Sequence, residues 1–204
     1  MIRTETDAGL WKITLDRPDK ANALTREMLT GLRGVLQSAQ GQARCLVVTA
    51  TGSVFSAGAD LDEARAGLAT DPVWEEVSGA MAAFDGLSIC ALNGALAGGA
   101  FGMALAADLR IAVPSAKFFY PVASLGFLPQ PSDPVRLAAL VGPARAKLIM
   151  LAGAKLTAQE ALTCGLIDRI AEPESLLECA RSLAAPALEG KPGHVSAIKA
   201  MIPH

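Results

Sequence analysis

Two glycine-rich segments, each set directly after an apolar run, constrain this chain more than any other feature. The first is Gly52-Ser53-Val54-Phe55-Ser56-Ala57-Gly58-Ala59-Asp60-Leu61, after the run 44–50. The second is Asn93-Gly94-Ala95-Leu96-Ala97-Gly98-Gly99-Ala100-Phe101-Gly102, after the run 87–92. Short apolar runs bounded by glycine read as buried strands, and the stretches that follow read as helices. Small residues at such strand-to-helix turns let bare backbone N–H groups approach a ligand. Two such groups aimed at one oxygen make an oxyanion hole. A dinucleotide-binding turn would need Gly-x-Gly-x-x-Gly, and the spacing Gly94, Gly98-Gly99, Gly102 does not supply it.

The remaining pattern alternates strands with helices. Residues 2–6 and 10–15 flank Asp7-Ala8-Gly9 as a hairpin. Thr25 caps a helix over 26–39, with Met28, Leu29, Leu32, Val35 and Leu36 on one face and Arg26 and Arg33 on the wet side. Asp71-Pro72 opens a helix at 73–84, and residues 109–113 and 117–119 read as short strands. Asp133-Pro134 and Gly142-Pro143 each start a helix, and Thr157-Ala158-Gln159-Glu160 has capping-box spacing. Pro173 opens a helix to about 185, and a last one covers 194–201. Such alternation predicts an α/β fold with a parallel sheet and crossover helices.

At 204 residues the chain suits one domain, drawn at 1–190 with a short helical tail at 191–204. Hydrophobic residues make up 51% and charged ones 19%, which points to apolar surface covered by partner subunits. A net charge of −2, with no basic run interleaved with aromatics, gives no reason to expect nucleic acid. Residues 87–107 carry no charge and are long enough to span a bilayer. Asn93-Gly94 and Gly98-Gly99 break that stretch into strand, turn and buried helix, so no membrane association is expected. Cys45, Cys90, Cys164 and Cys179 have no metal or redox spacing, and the N-terminus enters a strand pattern directly. No metal site is expected, and the reading is a soluble cytoplasmic protein.

Taken together, several motifs resemble the crotonase family, the enoyl-CoA hydratases and isomerases. They are Arg17-Pro18, Asn22-Ala23-Leu24, the Phe55-to-Leu61 run, Asn93-Gly94 through Gly98-Gly99, and Asp108. Further matches are Leu125-Gly126 through Pro129 to Arg136-Leu137, and Thr157-Ala158 through Ala161 to Gly165-Leu166-Ile167. The resemblance implies a spiral of ββα units with mostly parallel sheets flanked by helices. It implies an acyl-CoA substrate, coenzyme A being part of that substrate with no separate cofactor. It further implies homotrimers, often paired into hexamers, and C-terminal helices beyond the single one expected here. The thioester oxygen would rest on the amides of Ala59 and Gly99. Coenzyme A would run along the backbone near 20–23 and 57–61, at Lys20, Ala21, Ala23, Ala57, Asp60 and Leu61. Lys20 could meet a phosphate or stand free in solvent, and Asp60 also reads as a helix cap. Asp108 reads as a partner for Arg110 or a turn cap.

Hydratases of the family use two glutamates to manage a water and its protons. The resemblance places those positions on Gly102 and Val122, neither of which holds a proton. Replacements would come from nearby. Tyr120 could donate a proton or be a sheet tyrosine with a wet hydroxyl. Gln130 stands where related dehalogenases carry a nucleophilic aspartate, and its amide could orient a polar acyl group. Asp133 is the nearest carboxylate in this loop, but before Pro134 it also has the form of an N-cap. Asp62 and Glu63 follow the first turn and face pocket or solvent. His194 and His204 have no triad partner by pattern, and Ser56 no neighbouring base. Two functions follow. One is a divergent acyl-CoA isomerase, decarboxylase or other lyase that works by stabilising an enolate. The other is a non-catalytic acyl-CoA binder or assembly subunit.

Overall fold

The computed structural model describes residues 1–202, so His204 lies outside it. Strands β1 (Ile2–Asp7) and β2 (Leu10–Leu15) form the expected hairpin. Helix α1 (Arg26–Ala39) has the expected bounds, and Thr25 accepts the Met28 N–H at 3.2 Å. Met28, Leu29, Leu32, Leu36 and Ala39 form its buried stripe, with Val35 half-buried beside it.

From there the chain winds through repeated units. Each places one strand in a first sheet, a shorter strand in a second, and then a helix. The pairs are β3 (Cys45–Ala50) with β4 (Val54–Ser56), β5 (Leu87–Leu92) with β6 (Ala95–Ala97), and β7 (Leu109–Ala112) with β8 (Lys117–Phe119). Strands β9 (Leu156–Thr157) and β10 (Arg169–Ile170) complete the set. The first sheet runs β1-β2-β3-β5-β7-β10 and the second β4-β6-β8-β9. Apart from the antiparallel β1–β2 and β8–β9 pairs, neighbours are parallel, as crossover helices require. Strand β3 is buried on both faces, so it reads as a continuous apolar run with no alternation.

The helices are α2 (Leu61–Arg65), α3 (Val73–Ala82), α4 (Phe101–Ala106), α5 (Val122–Leu125), α6 (Asp133–Val141), α7 (Pro143–Met150), α8 (Ala158–Thr163), α9 (Leu176–Glu189) and α10 (His194–Lys199). Both capping-box bonds of α8 form, Glu160 N–H to Thr157 at 3.2 Å and Thr157 N–H to Glu160 at 2.8 Å. Every residue of α4 is buried, between α3 and α6. The uncharged stretch 87–107 is therefore strand, strand and buried helix, and no helix among the described residues is long and apolar enough to cross a membrane. Cys45 and Cys90 are buried free thiols, and burial pushes them up to about 11 and about 12 respectively.

Two expectations change here. Pro173 opens only a 3₁₀ turn (Pro173–Ser175), after which α9 runs through Pro186 to Glu189. Of Asp108, Arg110 reaches only the backbone carbonyl, at 3.3 Å, and not the carboxylate. That carboxylate accepts the Ser88 N–H and hydroxyl, both at 2.8 Å, and the Lys199 ammonium at 2.9 Å, tying α10 beneath β5 and β7. Arg110 instead donates to the carbonyls of Leu166 and Ala107 and meets Asp168 at 3.5 Å.

Candidate active site

The two glycine turns lie against each other. Gly58 has φ +93°, and a Cβ there would sit 3.0 Å from the Ala97 carbonyl oxygen and 3.4 Å from Gly98 Cα. Gly98 has φ +55°, and a Cβ there would meet Gly58 Cα at 3.6 Å. At Gly58 both the backbone conformation and the 3.0 Å approach favour a residue without a side chain. That approach sets the two residues that follow, Ala59 and Gly99, on one cleft.

Neither following amide is among the backbone donors bonded in turns and loops of the described residues. Leu24 bonds to both neighbours of Ala59, donating to the Gly58 carbonyl at 2.7 Å and accepting the Asp60 N–H at 2.9 Å. In that parallel bridge the Ala59 N–H points away from Leu24. Gly99 is the second residue of a 3₁₀ turn (Gly98–Ala100) that runs straight into α4. Its N–H is among those the helical pattern leaves without an acceptor, at the positive end of the helix. The loop that holds Ala59 is itself pinned. Arg17 donates to Asp60 at 2.8 Å and to the Ala23 carbonyl at 2.9 Å, while the buried Asn22 amide bonds the Thr51 and Val54 carbonyls.

The cleft has a volume of about 190 Å³ and is lined chiefly by apolar side chains. Of the residues singled out from sequence, Ala57, Ala59, Leu61, Gly99, Tyr120 and Gln130 line it, as does Val122. Lys20, Ala21 and Ala23 do not line it; the Ala21 carbonyl accepts the N–H of the lining residue Ala57 at 3.0 Å, and Lys20 is exposed. Asp60 caps α2 through the Asp62 and Glu63 amides and pairs with Arg17, which holds its carboxyl below the usual range. Asp62 faces solvent against Arg65, and Glu63 accepts the Arg26 N–H. Arg26 and Arg33 bind Asp71 and Glu76, so the wet face of α1 is tied to the start of α3 and its flank. His194 starts α10, away from the cleft lining. Trp74, Leu125, Phe127 and Leu128 also line the cleft and were not anticipated. An aromatic on an apolar helix face reads first as core, and Trp74 is indeed buried, its indole N–H on the Leu68 carbonyl at 2.8 Å.

Two readings of the acid–base groups are overturned. Asp133 does not cap α6. Ser132 holds the N-cap position, and the Asp133 side chain turns inward and is fully buried. Tyr120 is not a wet sheet tyrosine. It is 3% exposed, stacks on Phe101 at 5.3 Å, and donates its hydroxyl to Asp133 Oδ2 at 2.7 Å. The other carboxylate oxygen, Oδ1, is buried and has no hydrogen-bond partner among the described residues. It faces Gly102, where an added Cβ would lie 2.8 Å from it. A carboxylate from α6 thus occupies the space that a side chain at 102 would take.

Burial is the main reason the Asp133 carboxyl is raised to about 6; the Glu75 charge on α3 adds to this, while the Tyr120 hydrogen bond and Arg136 oppose it. Tyr120 is pushed far above its ordinary value by burial first and by the Asp133 charge second. Glu75 accepts the Ser132 N–H at 3.3 Å and its hydroxyl, which fixes the start of α6 against α3.

These features define a class of protein: a two-sheet ββα spiral whose paired strand-to-helix turns open on an apolar cleft. The chain belongs to the enoyl-CoA hydratase/isomerase family, whose model matches residues 5–204. It is 35% identical over 205 residues to the carnitinyl-CoA dehydratase of Salmonella arizonae, covering 97% of this chain and 78% of that protein. It is 30% identical to the 1,2-epoxyphenylacetyl-CoA isomerase of Escherichia coli K12, over 90% of this chain and 74% of that one. The crystal structure of an enoyl-CoA hydratase/isomerase from Pseudoalteromonas atlantica superposes with a TM-score of 0.91 at 29% identity, covering 98% of this chain and 81% of that one.

Proposed function

We propose that this protein binds an acyl-CoA thioester with its carbonyl oxygen between the Ala59 and Gly99 amides and stabilises the enolate that forms there. The observation that carries the reading is the contact of the Gly58 and Gly98 backbones, which sets the two following amides on one cleft. Two N–H dipoles and a helix N-terminus aimed at a developing oxyanion favour enolisation, and losing one such donor costs roughly 3–4 kcal/mol. Lys20 and the backbone of Ala21, Ala23, Ala57, Asp60 and Leu61 are the proposed coenzyme A contacts, and a trimer or a pair of trimers the proposed assembly. Gly102 and Val122 in place of the family's two glutamates keep a second reading open, a binder that holds acyl-CoA without turning it over.

Calorimetric titration with butanoyl-CoA, against coenzyme A alone, tests the binding step. Turnover across a panel of acyl-CoAs separates the two readings. Absence of acyl-dependent binding at millimolar ligand overturns both.

A further inference from the structure

We propose that Tyr120 and Asp133 act together as a one-carboxylate proton relay at this cleft, and that the reaction they serve moves a proton between carbons of an acyl thioester and adds no water. The inference rests on the acyl-CoA reading. Tyr120 lines the cleft, where a bound acyl group would meet it, and it is the proposed catalytic residue. Asp133 lies behind it, fully buried, and works through the 2.7 Å hydrogen bond to the phenol; it is a positioning residue and the store for the proton.

The step balances without a co-reactant. The Cα–H bond of the bound thioester breaks, and its electron pair moves into the enolate, whose oxygen sits on the two amides. The released proton goes to Tyr120 Oη as the phenol proton passes to Asp133 Oδ2. Reversal at the same carbon, once the Tyr120 hydroxyl has traded its proton with water in the cleft, gives exchange with solvent. Reversal at the γ carbon of an unsaturated acyl group gives a shifted double bond. A phenolate is never formed in isolation, which matters because burial disfavours it strongly. Hydration would need a second group to hold the water, and Val122 supplies none.

Three features of the buried carboxylate support the relay. Oδ1 of Asp133 is buried with no partner among the described residues, an arrangement that a purely structural aspartate avoids. Gly102 leaves the room for that oxygen. The carboxyl is raised to about 6, close to the range useful to a base near neutrality. Burial sets this value first, with the Tyr120 phenol, Glu75 from α3 and Arg136 one turn along α6 adjusting it, while α4 (Phe101–Ala106) carries no ionisable residue.

The test is deuterium uptake at C2 of butanoyl-CoA in heavy water, followed by NMR on the whole protein, with the Kd measured in parallel. Native protein should take up deuterium at a rate that climbs with pH to a plateau above about 6. Tyr120→Phe keeps the ring stacked on Phe101 and should slow uptake at least about 100-fold with little change in Kd. Asp133→Asn should slow it similarly and remove the inflection. Gly102→Ala, which crowds Oδ1, should move the inflection and tests the same carboxylate without removing it. Butanoyl-CoA binding with no uptake by native protein, or uptake by Tyr120→Phe within about threefold of native, overturns the relay and leaves the acyl-CoA reading standing. A Kd beyond reach for native protein overturns that reading and the relay with it.

Discussion

Asp133 and Gly102 act as a matched pair at the residue scale. Burial holds the Asp133 carboxyl near 6 in the folded protein against an ordinary 3.8. Below the ordinary value both folded and unfolded chains carry the proton, and Asp133 has no effect on stability. Between the two values the unfolded chain ionises first, which favours unfolding. Above about pH 6 the full penalty applies, roughly 2–3 kcal/mol. Asp133→Asn should therefore stabilise the protein by that order at pH 8 and by nothing at pH 3.5, as urea unfolding at the two pH values would show. An equal gain at both would mean that packing, not charge, is responsible. The converse exchange concerns space. Gly102→Glu alone runs into Oδ1 and should destabilise by about 1–3 kcal/mol. Adding Asp133→Gly should recover most of that, a coupling that a double-mutant cycle measures directly. The gap at 102 was legible in the sequence from its motif context. Its filler was not, because Asp-Pro looks locally like a helix start, and nothing in the chain's order brings α6 beside α4.

Among the elements, the glycine turns control the geometry. Gly58→Ala would force a Cβ into φ +93° and within 3.0 Å of a carbonyl oxygen. The turns should part by a few tenths of an ångström, with kcat falling at least about tenfold, KM changing less and the fold retained. Steady-state kinetics with circular dichroism would check this, and unchanged kcat would remove the turns from the mechanism. Both turns were readable from sequence because glycine, apolar run and helix start occur in order. Helix α1 was readable to the residue because its apolar spacing and its Thr25 cap agree. The C-terminal region was less so. Pro186 signals an end, yet Ala184 and Ala187 are buried on either side of it, and that packing carries α9 onward to Glu189.

For the molecule as a whole, an α/β spiral was legible through family motifs, but the strand order was not. Strands β4, β6 and β9 have two or three residues each, too few for a period to register. Strand β8 was readable at 117–119, but the partners of all four are far apart in the chain. Two further outcomes are expected at this scale. Crotonyl-CoA hydration should be slower than in two-glutamate relatives by about 100- to 10,000-fold per missing acid; a rate typical of them would mean that another group activates the water. Light scattering at micromolar concentration should give a multiple of the 21.0 kDa chain mass, three or six; a stable monomer would remove the proposed assembly. The close approach of Gly58 to Gly98 has one more consequence. In the proposed reaction the grip on an oxygen would depend on main chain, which nearly any residue at 59 could provide, whereas proton traffic would depend on side chains from separate segments, Tyr120 after β8 and Asp133 on α6. The two can be inherited separately: drift at 102, 120, 122 and 133 can rewrite the reaction while the anchor point persists, and a substitution survey would register that anchor only through its glycines.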